Sequence, residues 1–106
     1  MKLIELNICR IFELCRIHKV KTLAVFGSIV TDRFCDSSDV DLSVTFDEES
    51  IDDPFLNFFD FVEALEELFG RKVDLVDETA IVNPFFKKEL ELTKRPIYGY
   101  QDKRLA

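Results

Sequence analysis

Apolar residues recur along this chain with two different periods. Ile4, Ile8, Ile11, Phe12 and Cys15 stand at offsets of four, seven, eight and eleven, the stripe of an amphipathic helix over about residues 2 to 18. Leu23 to Phe26, with Val20 and Thr22 before it and Gly27 after it, reads as a buried strand. Ser28 to about Arg33 suits a short helix, and Cys35, Asp36, Ser37 and Ser38 suit a loop. The period then changes to two. Over residues 39 to 46, Val40, Leu42, Val44 and Phe46 take one face, while Asp39, Asp41, Ser43 and Thr45 take the other.

An acidic stretch, Asp47 to Asp53, ends in Asp-Pro, where Asp53 can cap a helix and Pro54 fits its first turn. The pattern predicts that this helix runs to Phe69 and stops at Gly70. Phe55, Phe58, Phe59, Val62 and Phe69 form its expected core stripe. Phe61 and Leu68 fall to one side, so Phe61 is expected at the surface as a partner-facing or self-associating residue, with Ile97 to Tyr100 as the other candidate surface. Lys72 to Val76 alternates again, placing Val73 and Leu75 opposite Asp74. Asn83-Pro84 repeats the cap-and-proline signature for a last helix of about Phe85 to Lys94, closed by Arg95-Pro96 before a tail.

Strands alternating with helices imply one α/β or α+β layer structure, and 106 residues give a single domain spanning 1–106. With 47% hydrophobic and 33% charged residues and only 3 Gly and 3 Pro, disordered and low-complexity classes are excluded. The 14 basic and 21 acidic residues leave a net charge of −7, which opposes a phosphate backbone and argues against duplex nucleic acid as a partner. The apolar runs are far shorter than the roughly 20 residues that span a bilayer, and the start lacks a signal-peptide pattern, so a cytoplasmic location away from membranes is expected. Three cysteines, Cys9, Cys15 and Cys35, form no CxxC pair and no complete disulfide set. Cys15 and His18 share helical spacing, but no second ligand pair follows them, so buried thiols are the better reading than zinc.

The aspartates change the picture. Two residues apart on a strand, Asp39 and Asp41 have Cα atoms roughly 6.6 Å apart with side chains on the same face. Were the strand of Asp74 adjacent, three carboxylates would crowd one patch, costly unless a cation is bound or a proton retained. Oxygen donors of that charge select Mg²⁺ or Mn²⁺. Gly27-Ser28, at the end of the preceding strand, offers backbone N–H groups to an anion. Phosphate beside a divalent metal is the chemistry of nucleoside triphosphates.

Gly27-Ser28, ten intervening residues (29 to 38), then Asp39-Val40-Asp41 and the later KVDLV with Asp74 together resemble the signature of the minimal nucleotidyltransferases of the polymerase-beta-like superfamily. The similarity extends over nearly the whole chain, from the leading helix to the closing helix and its tail. It implies the polymerase-beta-like fold, a small mixed sheet of three to four strands with helices packed on it. It also implies Mg²⁺ (or Mn²⁺) held by Asp39, Asp41 and Asp74, with Asp74 helping to deprotonate the attacking hydroxyl. Gly27 and Ser28 would hold the β- and γ-phosphates of ATP. Members commonly continue after Gly-Ser with basic residues and a glycine, whereas Ile29, Val30, Thr31 and Asp32 follow here, leaving Arg33 as the candidate replacement cation. Small members of the family are often antitoxins that transfer AMP from ATP to a tyrosine of a HEPN ribonuclease toxin, and that is the leading expectation. A non-catalytic antitoxin that neutralises such a toxin by contact is the alternative; nucleotidyl transfer to a small molecule or an RNA end is a more distant one. A homo-oligomer is compatible with all of them.

Overall fold

The computed structural model describes residues 2–30 and 38–99, the side chains of Ser28 and Val30 excepted. Its strands are β1 (Val20–Phe26), β2 (Val40–Phe46), β3 (Val73–Asp77) and β4 (Arg95–Tyr98), and its helices α1 (Lys2–Leu6), α2 (Ile8–Ile17), α3 (Pro54–Phe69) and α4 (Pro84–Thr93). The strands form one mixed sheet in the order β3-β2-β1-β4. β1 is antiparallel to both β2 and β4, and β2 is parallel to β3. This is the α+β architecture expected from the sequence.

Alternation along β2 is obeyed. Val40, Leu42 and Val44 are buried on one face with Leu23 and Val25 of β1, under Ile11, Leu14 and Cys15 of α2 and Phe61, Leu65 and Phe69 of α3. Full burial of a side chain of this size contributes about 1.5–3 kcal/mol, so this cluster holds the sheet's central pair in register. The linkage from α2 to α3 adds polar ties: Asn57 Nδ2 donates to the His18 carbonyl at 2.8 Å, and the Asp47 N–H donates to the Lys19 carbonyl at 2.9 Å.

Local signals set the helix ends. Asp53 Oδ1 accepts the Leu56 N–H at 3.1 Å, with Pro54 in the first turn, and Gly70 closes α3 in a left-handed conformation with φ of 67°. Asn83 Oδ1 accepts the N–H groups of Phe85 and Phe86 at the start of α4. The expected single helix over residues 2 to 18 is divided, because at Asn7 the backbone leaves helical geometry (φ −113°, ψ 12°) and the side-chain amide turns back to the Leu3 carbonyl. The expected short helix after β1 is a 3₁₀ turn over Gly27–Val30; its continuation to Arg33, and Cys35 to Ser37, lie outside the described residues.

Two further expectations are corrected. The tail after α4 enters the sheet as β4, with Pro96 opposite Ala24, a position that an edge strand tolerates because its N–H need not join the ladder. The phase of α3 differs as well. Phe61 is fully buried, whereas Phe55 and Phe59 are 75% and 51% exposed. Leu65 stands at the centre of the true stripe, which at 100° per residue lies about 60° from the expected one. Phe61 packs against Phe46 and His18 and is no interface residue; of the expected tail surface, Ile97 and Tyr98 pack onto the core, and Tyr100 lies outside the described residues.

Phe61→Ala should therefore cost about 3–5 kcal/mol of unfolding free energy. Phe59→Ala, on the exposed side of the same helix, should stay within about 0.5 kcal/mol of the parent. Urea denaturation of the two variants side by side checks both; equal losses would refute the assigned phase.

Candidate active site

The pairing of β2 with β3 brings two acidic side chains together. Asp41 is opposite Asp74 in a parallel ladder that runs from Val40–Val73 to Val44–Asp77, so their backbones are about 4.8 Å apart and their side chains leave the same face. On the other side of Asp41, antiparallel register sets Phe26, the last residue of β1. Asp39 is exposed just ahead of β2, two residues before Asp41. Phe26, Asp41 and Asp74 thus form one row across three strands, on the face away from the main core.

Burial of Asp41, then the charge of Asp74, then that of Asp39, raises the Asp41 carboxyl above the ordinary carboxylate range. All three causes act in one direction, because each penalises the ionised form. Gly27 completes the crowding. It has φ of +73°, and a Cβ at this position would lie 2.2 Å from Asp41 Oδ2. Only a residue without a side chain lets the backbone pass this close to the carboxylate in this conformation.

The surroundings of the row are held by groups that sequence patterning did not single out. Arg71 donates from Nη1 to the Ser38 carbonyl at 3.1 Å, tying the segment that carries Asp39 to the start of β3. The Glu66 carboxylate accepts the Val73 N–H at 3.0 Å, and the Val40 N–H donates to the Lys72 carbonyl at 3.0 Å. The contacts of Arg71 with Ser38 and of Val40 with Lys72 join residues far apart in the chain, and no local motif announces them. Phe86 of α4 meets the Phe26 ring edge-on at 6.1 Å, bringing the start of α4 to the end of the acidic row.

Of the residues expected at the site, Asp41, Asp74 and Gly27 come together, and Asp39 adjoins them. Ser28 follows Gly27 in the 3₁₀ turn, but its side chain, and Arg33 altogether, lie outside the described residues. A four-residue turn carries little macrodipole, so anion recognition here would rest on individual N–H groups. Among the described residues no three His, Cys, Asp or Glu side chains form a compact metal-holding group. The donor chemistry of the row nevertheless fits a divalent hard cation: its groups are carboxylate oxygens, and the repulsion that raises the Asp41 carboxyl is what such a cation would relieve. Cys15 and His18 serve the core instead. Burial pushes the Cys15 thiol up to about 12, and His18 Nδ1 lies 2.8 Å from the Leu14 carbonyl.

Comparison with known proteins agrees with this geometry. The family described as Polymerase beta, Nucleotidyltransferase matches residues 9–103. A Methanocaldococcus jannaschii chain provisionally named protein adenylyltransferase MJ1379 is 39% identical over 74 residues, covering 70% of this chain and 73% of its own. A solved structure provisionally described as a minimal nucleotidyltransferase superposes with a TM-score of 0.75 at 27% identity, over 90% of this chain and 93% of that one. A chain from the structure of a tri-AMPylated Shewanella oneidensis HEPN toxin in complex with MNT antitoxin shares the fold, with a TM-score of 0.65 at 20% identity over 95% of this chain and 76% of its own. Among the described residues no helix is long and apolar enough to cross a membrane. With nearly its whole length matched and its aspartates paired across β2 and β3 beside Gly27, this chain belongs to the polymerase-beta nucleotidyltransferase family, as one of its minimal members.

Proposed function

We propose that the chain is the antitoxin of a HEPN toxin–antitoxin pair and transfers AMP from ATP to a tyrosine of the toxin. The observation that carries this reading is the in-register pairing of Asp41 with Asp74 beside Gly27. Support for the acceptor being a protein comes from the adenylyltransferase name of the Methanocaldococcus relative and from the AMPylated toxin beside the fold's Shewanella representative.

In this reading Asp39, Asp41 and Asp74 would hold Mg²⁺ or Mn²⁺. When bound, such a cation supplies charge neutralisation at the α-phosphate and the leaving pyrophosphate. The backbone at Gly27 and Ser28 receives the β- and γ-phosphates through N–H groups. The tyrosyl oxygen forms a bond to the α-phosphorus as the bond to the bridging oxygen breaks. Pyrophosphate departs with that electron pair, and the phenolic proton passes to the Asp74 carboxylate and on to solvent. Asp74, exposed at the edge strand, is open to an incoming hydroxyl.

One observation favours a second reading, neutralisation of the toxin by contact alone. Ile29, the first residue after the Gly-Ser pair, where the pattern of the resembled family commonly has a basic residue, is buried in the core, so this position offers no charge to the triphosphate. Transfer and contact predict different masses.

Incubating the chain with the toxin, Mg²⁺ and ATP should add one or more AMP units to the toxin, read by intact mass. Asp74→Ala should lower the rate by about 10²-fold or more, as loss of a positioned base does. Complex formation and relief of toxicity without added mass, unchanged by Asp74→Ala, would establish contact alone.

The acidic row makes a separate thermodynamic prediction. The Asp41 carboxyl is raised in the folded chain above its unfolded value, so the folded state holds its proton more tightly and the ionised form costs stability. That cost is present at neutral pH and disappears as pH falls through the raised value. Asp41→Asn should consequently raise the melting temperature of the metal-free protein at pH 7, for a gain in stability of less than about 1 kcal/mol given the partial exposure of the group. The gain should vanish in acid, and Mn²⁺ should stabilise the parent more than the variant. A lower melting temperature for Asp41→Asn at pH 7 would refute the repulsion.

A further inference from the structure

The chemistry needs an acceptor hydroxyl delivered to the acidic row by another molecule, so some surface next to that row must hold the molecule in place. The start of α4 has the required position. Phe86 rests on Phe26, which is beside Asp41 in the sheet, so this segment adjoins the catalytic face. It is also unusually apolar for an outer surface: Val82 is 94% exposed, Phe85 83% and Phe86 37%. Large exposed apolar groups of this kind, clustered near a site, mark interaction surfaces.

Charge narrows the occupant. Lys87 and Lys88 follow directly and are exposed, and among the described residues neither enters an ion pair. Two adjacent free cations at the first turns of a helix oppose the favourable direction of the helix dipole. They stand out in a chain whose net charge is −7. Lys88 lies about 60° from Phe85 around the helix, Lys87 follows Phe86, and exposed Glu89 stands one turn after Phe85; an apolar centre flanked by these two lysines is complementary to an apolar segment whose acidic residues meet them. A second exposed apolar group, Phe55 and Phe59 on α3, belongs to a helix on the opposite face of the sheet and has acidic neighbours, Asp52, Asp53 and Asp60.

We propose that Val82, Phe85, Phe86, Lys87 and Lys88 form the docking surface for the acceptor protein, which binds them through an acidic, apolar segment near its accepting tyrosine. This rests on the adenylyl-transfer reading and adds to it the place where the acceptor is held. Phe85 and Val82 supply the desolvated contact, the lysines supply orientation and encounter rate, and Phe86 couples the surface to the row through Phe26. Docking at this point shortens the path of the tyrosyl oxygen to the α-phosphate and turns the transfer into a reaction within one complex.

The test compares the parent with Phe85→Ser, the pair Lys87→Glu and Lys88→Glu, and Phe59→Ser, using the HEPN toxin as acceptor. Toxin affinity is measured by titration and AMP transfer by mass, at varied toxin and at varied ATP. Thermal melts establish that each variant is folded. Phe85→Ser and the lysine pair should each weaken toxin binding and raise the KM for toxin by about tenfold or more, leaving the KM for ATP within about twofold. The lysine variant should also lose much of the salt dependence of association. Phe59→Ser should change none of these.

Unchanged toxin affinity in Phe85→Ser would overturn the docking surface while leaving the transfer reading intact. A rise in the KM for ATP alone in the lysine variant would overturn it too, by giving these cations to the triphosphate. Absence of both complex and transfer with the parent chain would overturn the transfer reading, and the docking surface with it. A complex without transfer would sink the transfer reading alone, and its affinity for Phe85→Ser would still decide the surface.

Discussion

Two carboxylates held side by side on adjacent strands repel one another, and the sheet of this protein is arranged so that they cannot separate. Asp41 sits on β2, an interior strand paired on both sides, with β1 and β3 as its neighbours. To move it from Asp74 would mean shifting β2 against β3, and a one-residue slip would turn Val40, Leu42 and Val44 out of the core. The apolar face of the strand thus fixes the position of the acidic face. With Asp74 exposed, the repulsion amounts to about 1 kcal/mol or less, below the contribution of one well-buried aliphatic side chain and far below the sum of those in the cluster. The core can hold the repulsion as stored electrostatic energy, available to whatever cation or proton relieves it.

The same face changes character along β2. At its start are Asp39 and Asp41, near solvent; next comes Ser43, fully buried opposite Ala24; then Thr45, whose hydroxyl meets that of Thr22. Leu90 of α4 is buried but lies apart from the main cluster, consistent with α4 covering the inner part of this face. Among the described residues the Ser43 hydroxyl has no hydrogen-bond partner in that covered zone.

The parts legible in the sequence are those with local causes. Strict alternation over residues 39 to 46 and the cap-proline pairs Asp53-Pro54 and Asn83-Pro84 each draw on neighbouring residues alone, and the structure has β2, α3 and α4 at those places. The common face of Asp41 and Ser43 follows from the same alternation. Whether Asp74 would reach Asp41 could not be read so, since parallel pairing depends on a crossover through α3 and on contacts such as Arg71 to Ser38. The phase of α3 failed for a different reason. Phe55, Leu56, Phe58, Phe59, Phe61, Val62, Leu65, Leu68 and Phe69 leave so little of the helix polar that several stripes fit the sequence; only packing against Phe46 and His18 selects the one with Phe61 inside. β4 was hidden by Pro96, which ends helices and also suits an edge.

Ile29 links the core to the chemistry. A basic residue there would extend towards phosphate, but in this chain the side chain turns inward and joins the cluster under the sheet. The turn after β1 is thereby anchored by burial, which keeps Gly27 pressed against Asp41. In the adenylyl-transfer reading, the loss of that cation moves more of the compensation for triphosphate charge onto backbone N–H groups and onto the cation that the aspartates would hold. The same row of carboxylates then has two duties, attraction of a divalent ion and exclusion of unaccompanied anions. In that reading a site of net negative charge would repel bare ATP and accept it with its metal, so the repulsion in the sheet would also act as a filter on the form in which the nucleotide enters.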